Sequence, residues 1–270
     1  MFNQNRHYAI GVFDSGLGGL TVVKELTRQL PFEGIVYYGD TARVPYGTKS
    51  KESIIRFSKE NTKALLKHKV KMVVVACNSS SSYALAALKR NFSLPIVGVI
   101  HAGAKKAVQT THNGRIGVIA TSATIHSQEY PKTIHWYDAS VKVFSRACPL
   151  FVPLVEEGWL DKEVTFKIVE EYLSSLKREK IDTLILGCTH YPLLTKAIKE
   201  VMGKSVSLID SAKEIALEVK QILGETQIMN NFKRKPRHQF LVTDRPQAFE
   251  RIAKNFLGYP VKMKVELNHV

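Results

Sequence analysis

Cys77 and Cys188 stand where side chains of their type can do chemistry. Each closes an apolar run, Met72 to Ala76 and Leu184 to Gly187, and each is followed by a polar residue, Asn78 or Thr189. That pattern puts both thiols at the carboxyl end of a strand beside a helix N-terminus, where backbone N–H groups favour the thiolate. His190, two residues beyond Cys188, is able to hold a proton or orient a neighbour, and Asp14, at the end of another apolar run, is able to do the same for Cys77. Cys148, held between Ala147 and Pro149, has no such context and reads as a buried structural thiol.

A single thiol nucleophile with a histidine helper would make a hydrolase and leave the second cysteine redundant. Inverting a carbon centre by proton transfer does need two groups, one removing a proton from one face and one delivering a proton to the other. A thiol and a thiolate that exchange states at each turnover fill both roles.

The elements that would hold these residues are short Val- and Ile-rich runs: 9–13, 35–38, 72–76, 96–100, 116–120, 141–144, 184–186, 206–209 and 240–242. Stretches with helical spacing, such as 50–69, 80–91, 160–177 and 212–223, lie between them. The alternation predicts α/β architecture with parallel sheets, whose functional groups gather in loops at the strands' carboxyl ends. A faint repeat adds to this. Ile10-Gly11-Val12-Phe13-Asp14-Ser15 is similar to Ile116-Gly117-Val118-Ile119-Ala120-Thr121, and Val74-Val75-Ala76-Cys77-Asn78 is similar to Ile185-Leu186-Gly187-Cys188-Thr189. Two similar halves, each contributing one cysteine, are expected.

Composition narrows the class. With 44% hydrophobic and 23% charged residues in 270, the chain is neither fibrous nor disordered. No apolar run approaches the ~20 residues that span a bilayer, and 9–13 is too short for a secretory signal. The three cysteines have neither disulfide-framework nor zinc-ligand spacing. No metal is expected, and the chain is read as cytoplasmic. The 39 Lys and Arg against 24 Asp and Glu give +15. Part of that excess is a stripe of Arg56, Lys59, Lys63 and Lys67, and part is the cluster Lys233-Arg234-Lys235-Pro236-Arg237. Neither has interleaved aromatics to stack bases, so both read as solvated surface and no nucleic-acid partner is expected. Gly16-Leu17-Gly18-Gly19 is similar to a dinucleotide fingerprint, but Thr21 replaces its third glycine and Asp14 would repel a pyrophosphate.

Five ordered segments resemble the glutamate racemase family: Phe13 to Thr21, Tyr38 to Gly47, Ala76 to Ser79, Pro149 to Gly158 and Leu186 to Pro192, with Val242-Thr243-Asp244 in the tail. The resemblance covers nearly the whole chain. It implies cofactor-independent interconversion of L- and D-glutamate, supplying D-glutamate for peptidoglycan and so for cell-wall biogenesis and cell shape, by a homodimer. It implies Cys77 as the proton donor and acceptor for the D-enantiomer and Cys188 for the L-enantiomer, supported by Asp14, Asp40, Glu156 and His190. The implied substrate-binding pairs are Asp14-Ser15, Tyr46-Gly47, Asn78-Ser79 and Thr189-His190. Where the family usually has Thr, this chain has Ser79, which keeps the hydroxyl. Arg43 is the one full cation in the five segments, so neutral donors are expected to bind the carboxylates. The first segment begins only a few residues into the sequence, so no N-terminal extension is expected to build a site for a cell-wall precursor. The expected fold is two similar parallel-sheet domains related by pseudo-symmetry, residues 1–100 with 212–270 and residues 101–211, with the active site in the cleft between them.

Overall fold

Runs of Val and Ile buried on both faces form parallel strands, and in the computed structural model, which describes residues 6–232 and 236–267, they assemble into two sheets. The first contains β1 (Ala9–Asp14), β2 (Ile35–Gly39), β3 (Val70–Val75), β4 (Ile96–Gly98), β9 (Gln239–Val242) and β10 (Lys264–Val265) in the order β10-β9-β2-β1-β3-β4. The second contains β5 (Arg115–Ala120), β6 (Lys142–Ala147), β7 (Thr183–Gly187) and β8 (Ser207–Asp210) in the order β6-β5-β7-β8. Every pairing is parallel. The segment β2-β1-β3-β4 and the whole second sheet share one topology, so the faint sequence repeat falls on equivalent strands, β1 with β5 and β3 with β7. Cys77 and Cys188 follow those last two.

The chain returns to the first sheet through α11 (Ser211–Glu225), which packs against α1 (Leu20–Gln29) and α5 (Val99–Thr110). A continuous apolar cluster runs from Ile10, Val12 and Leu26 through Ile215 and Val219 of α11 to Leu184 and Phe151. One charged pair lies within the first half. Lys71 of β3 meets Glu33 at 2.6 Å with both side chains 1% exposed, and its ammonium also donates to the carbonyls of Arg6 and Ile228 at 2.8 Å.

Three expectations shift. The run 96–100 ends as a strand at Gly98, and Val99 and Ile100 open α5, because a short buried apolar run reads alike as strand or helix. The segment 80–91 is two helices, α3 (Asn78–Tyr83) and α4 (Leu85–Asn91), broken at Ala84. Strand β6 is displaced toward its polar end, Ser145 and Arg146, because it is a solvent-washed edge. On α2 (Lys51–Leu66), capped by Ser50, the inner face is Ile54, Phe57, Asn61 and Leu65, while Arg56, Lys63 and Lys67 are exposed. Residues 233–235 of the second basic cluster lie outside the described residues. Among the described residues no helix is long and apolar enough to cross a membrane.

Candidate active site

Two strand ends bring the thiols to one place. Ser15, Gly16, Tyr46, Gly47, Cys77, Asn78 and Ser79 from the first half, and Thr121, Glu156, Cys188, Thr189 and His190 from the second, line a single narrow cavity of about 30 Å³. Of the catalytic and substrate-binding residues expected from sequence, all but Asp14 and Asp40 lie on its wall. Asp14, the last residue of β1, is fully buried behind the wall; its Oδ2 accepts from the Gly16 amide at 3.1 Å, and Oδ1 has no hydrogen-bond partner among the described residues.

The two cysteines have unlike neighbours. Cys77 caps α3 and its thiol donates to the Ser15 hydroxyl at 3.6 Å. Burial, then the Asp14 carboxylate, push it up to about 11, against weaker help from the Ser80 amide and Ser15. For Cys77, burial outweighs the N–H groups at the start of α3, which pull the other way. Cys188 precedes a turn and the 3₁₀ segment Tyr191–Leu194 rather than an α-helix. Its sulfur lies 3.8 Å from His190 Nδ1, and His190 Nε2 meets Glu156 Oε1 at 3.2 Å. Burial opposes a charge on His190, yet the hydrogen bonds and charges of Cys188 and Glu156 prevail and raise it to about 10. These partners thus favour the charged form of His190 on the cavity wall. Burial also raises Asp14, while the His190 charge pulls it down.

Arg43 points its charge elsewhere. Its guanidinium binds Asp40 Oδ2 at 2.7 Å and pairs with Glu60, and it stacks 4.1 Å over the Phe57 ring. Asp40 accepts also from the Tyr46 hydroxyl and from Thr243 at 3.2 Å. It lies behind Tyr46, off the cavity wall, where it can hold the Tyr46–Gly47 loop but does not reach the thiols. Thr121 was missed. Its hydroxyl meets that of Ser79 at 3.0 Å, and both are within 3.2 Å of Thr124. The repeat carried a signal, for Thr121 aligns with Ser15.

The glycines explain how the halves meet. A Cβ on Gly18 would lie 2.5 Å from His190 Nδ1, and one on Gly47 would lie 2.7 Å from Thr121 Cβ. The Gly-rich loop gives room for the facing half to approach, a different task from cradling a pyrophosphate. Cys148 is fully buried, pushed up to about 12 by burial, and its carbonyl accepts from the Tyr191 hydroxyl at 2.8 Å. Among the described residues no group of three or more His, Cys, Asp or Glu is placed to hold a metal ion.

A family model described as Asp/Glu/Hydantoin racemase matches residues 10–219. A glutamate racemase from Geobacter metallireducens is 48% identical over 264 residues, spanning 96% of this chain and 98% of that protein. The crystal structure of a glutamate racemase isoform from Bacillus anthracis superposes with a TM-score of 0.94 at 44% identity, covering 97% of this chain and 98% of that one. Another, from Francisella tularensis in complex with D-glutamate, gives 0.90 at 37% identity over 97% of each chain.

Proposed function

From the premise that the chain belongs to the Asp/Glu/hydantoin racemase family and is an amino-acid isomerase, we propose that it interconverts L- and D-glutamate by proton transfer between two cysteines. The observation that carries the reading is that Cys77 and Cys188 line one cavity from opposite halves of the molecule. In the L-to-D direction the Cys188 thiolate, beside protonated His190, takes the α-proton and becomes a thiol. The Cys77 thiol gives its proton to the opposite face of the planar carbanion and becomes a thiolate. D-to-L is the reverse. The Asn78 amide holds the α-carboxylate alike before and during the reaction, and charge developing on that carboxylate is met by hydroxyl and N–H donors of Ser15, Ser79, Thr189 and the Tyr46–Gly47 loop. Glu156 orients His190, Asp14 sets the Cys77 side, and Asp40 acts through Tyr46. The cavity's about 30 Å³ is room for little more than a water, so the halves, 1–100 with 212–270 and 101–211, part to admit glutamate and close to exclude solvent. The D-glutamate made in this way supplies peptidoglycan synthesis in the cytoplasm.

The test is incubation with L-glutamate in D₂O. The expected result is α-deuteration together with loss of optical rotation, and no racemisation by Cys77→Ala or Cys188→Ala. No exchange, or a fully active single mutant, sinks the mechanism; exchange with aspartate but not glutamate redirects the substrate.

A further inference from the structure

Asn78 has a partner that the reaction chemistry does not require. The hydroxyl of Tyr130, on α7 (Glu129–Tyr137) of the second half, lies 2.8 Å from Asn78 Oδ1 and 3.2 Å from the Ser211 hydroxyl at the start of α11. All three residues are at least nine-tenths buried: Tyr130 is 1% exposed, Asn78 4% and Ser211 4%. They come from three separate segments, yet their polar atoms form one chain.

A carboxamide has two faces, one accepting and one donating, and only its hydrogen-bond partners decide which way it points. A phenol has one proton to give. With Ser211 donating to the phenol oxygen and the phenol donating to Oδ1, the Asn78 oxygen is engaged away from the substrate and Nδ2 is left for the cavity that Asn78 lines. An anionic substrate needs that orientation, because a carbonyl oxygen turned toward a carboxylate would repel it. We infer that Tyr130 is a positioning residue that fixes the Asn78 amide with its N–H groups toward the substrate carboxylate, with Ser211 orienting the phenol. This deepens the glutamate reading and rests on it. Tyr130 and Asn78 belong to opposite halves, so the amide is set by the same approach of the two halves that brings the cysteines together.

An interaction made alike in the ground and transition states changes KM and leaves kcat alone. Tyr130→Phe keeps the ring and removes the hydroxyl, so its KM for L-glutamate is expected to rise about five-fold, with kcat within two-fold of the unmodified enzyme. That factor corresponds to ~1 kcal/mol, the size of one net hydrogen bond. Ser211→Ala is expected to raise KM in the same sense by a smaller factor.

The deciding measurement is the double-mutant cycle with Asn78→Ala. If Tyr130 acts through Asn78, Tyr130→Phe has no further effect on KM once the amide is gone. A merely structural role adds its full effect in either background. All variants are assayed by α-deuteration in D₂O alongside the unmodified chain. Coupling that absorbs the whole Tyr130 effect supports the inference. A KM unchanged in Tyr130→Phe, or additive effects in the cycle, overturns the inference while leaving the function standing. No exchange by the unmodified chain overturns the functional reading and this inference with it.

Discussion

His190→Asn tests the electrostatics of the Cys188 side. The substitution removes a ring held at a pKa of about 10, its Nδ1 3.8 Å from Cys188 Sγ, and leaves a neutral amide of similar reach. At an effective dielectric of about 20, unit charges at that separation attract by ~4 kcal/mol. If the whole of that were lost from the transition state the rate would fall ~10³-fold; the amide's remaining donor lowers the expectation to about 10²- to 10³-fold in kcat/KM. Enantiomers have equal free energy, so kcat/KM must fall by the same factor from L- and from D-glutamate, and the direction of reaction alone reveals nothing. The isotope effect does. When proton transfer at Cys188 becomes the slow step, α-deuterated L-glutamate shows a larger substrate isotope effect than it does with the native enzyme. α-Deuterated D-glutamate shows a smaller one, because its own C–H bond is broken at Cys77 before the slow step. The assay is circular dichroism from each labelled enantiomer. A loss below ten-fold, or an isotope effect that grows on the D side instead, refutes the reasoning. The pH dependence has a definite sign. The folded His190 is raised above its ordinary 6.5, so its charge and the stability it contributes are complete below pH 6.5. The stability declines above that, and both are lost as pH rises through about 10. Native activity is expected to fall on that upper limb, and His190→Asn is expected to lack this step.

Gly18→Ala places a methyl 2.1 Å from Thr189 Oγ1 and 2.5 Å from His190 Nδ1, so activity is expected to fall at least ten-fold; a fully active variant would show that the halves do not meet there during turnover. Lys71→Met leaves Glu33 buried and unpaired, which costs about 3–5 kcal/mol and lowers Tm by about 10 °C. Kinetics of its surviving folded fraction stay native, and differential scanning calorimetry reads the shift, with an unchanged Tm counting against the buried pair. Cys148, fully buried and raised to about 12, is expected to stay unmodified by iodoacetamide at pH 8 until the protein is denatured, and Cys148→Ala to keep full activity. Peptide mapping by mass spectrometry checks the first and the racemisation assay the second.

The strands and the thiols were legible because buried parallel strands are written as continuous apolar runs, and a polar residue after such a run marks a loop at the functional edge. That is how 72–76 and 184–186 delivered Cys77 and Cys188. The α3–α4 break was not legible, since nothing in Ser80-Ser81-Ser82-Tyr83-Ala84 differs from a helix continuing. The short β10, Lys264–Val265, has both residues exposed and no apolar pattern to betray it. The setting of Asp40 was hidden for another reason. Its partners Thr243 and Arg43, and the Glu60 that completes the network, are joined only by the fold, so motif position told of its presence but not that it stands behind Tyr46. Thr121 could have been found. The repeat paired it with Ser15, and a matched strand end in the second half earns the same scrutiny as one in the first.

The repeat makes the two cysteines topologically equivalent, but a two-base reaction cannot use them in the same protonation state. Two thiolates facing one small cavity would repel each other, and two thiols would leave no base. The surroundings break the tie. Cys77 is raised to about 11 by burial and then by the Asp14 carboxylate behind it, and Cys188 has His190 beside it, braced by Glu156. On the proposed mechanism the L-to-D direction starts with the proton on Cys77 and the base at Cys188, and one turnover inverts that arrangement, putting a thiolate on the Asp14 side. The D-to-L direction starts from the inverted form. On that mechanism the fold supplies symmetry so that both faces of one carbon can be reached, and the residues beside each strand end remove that symmetry so that only one thiol at a time is the base.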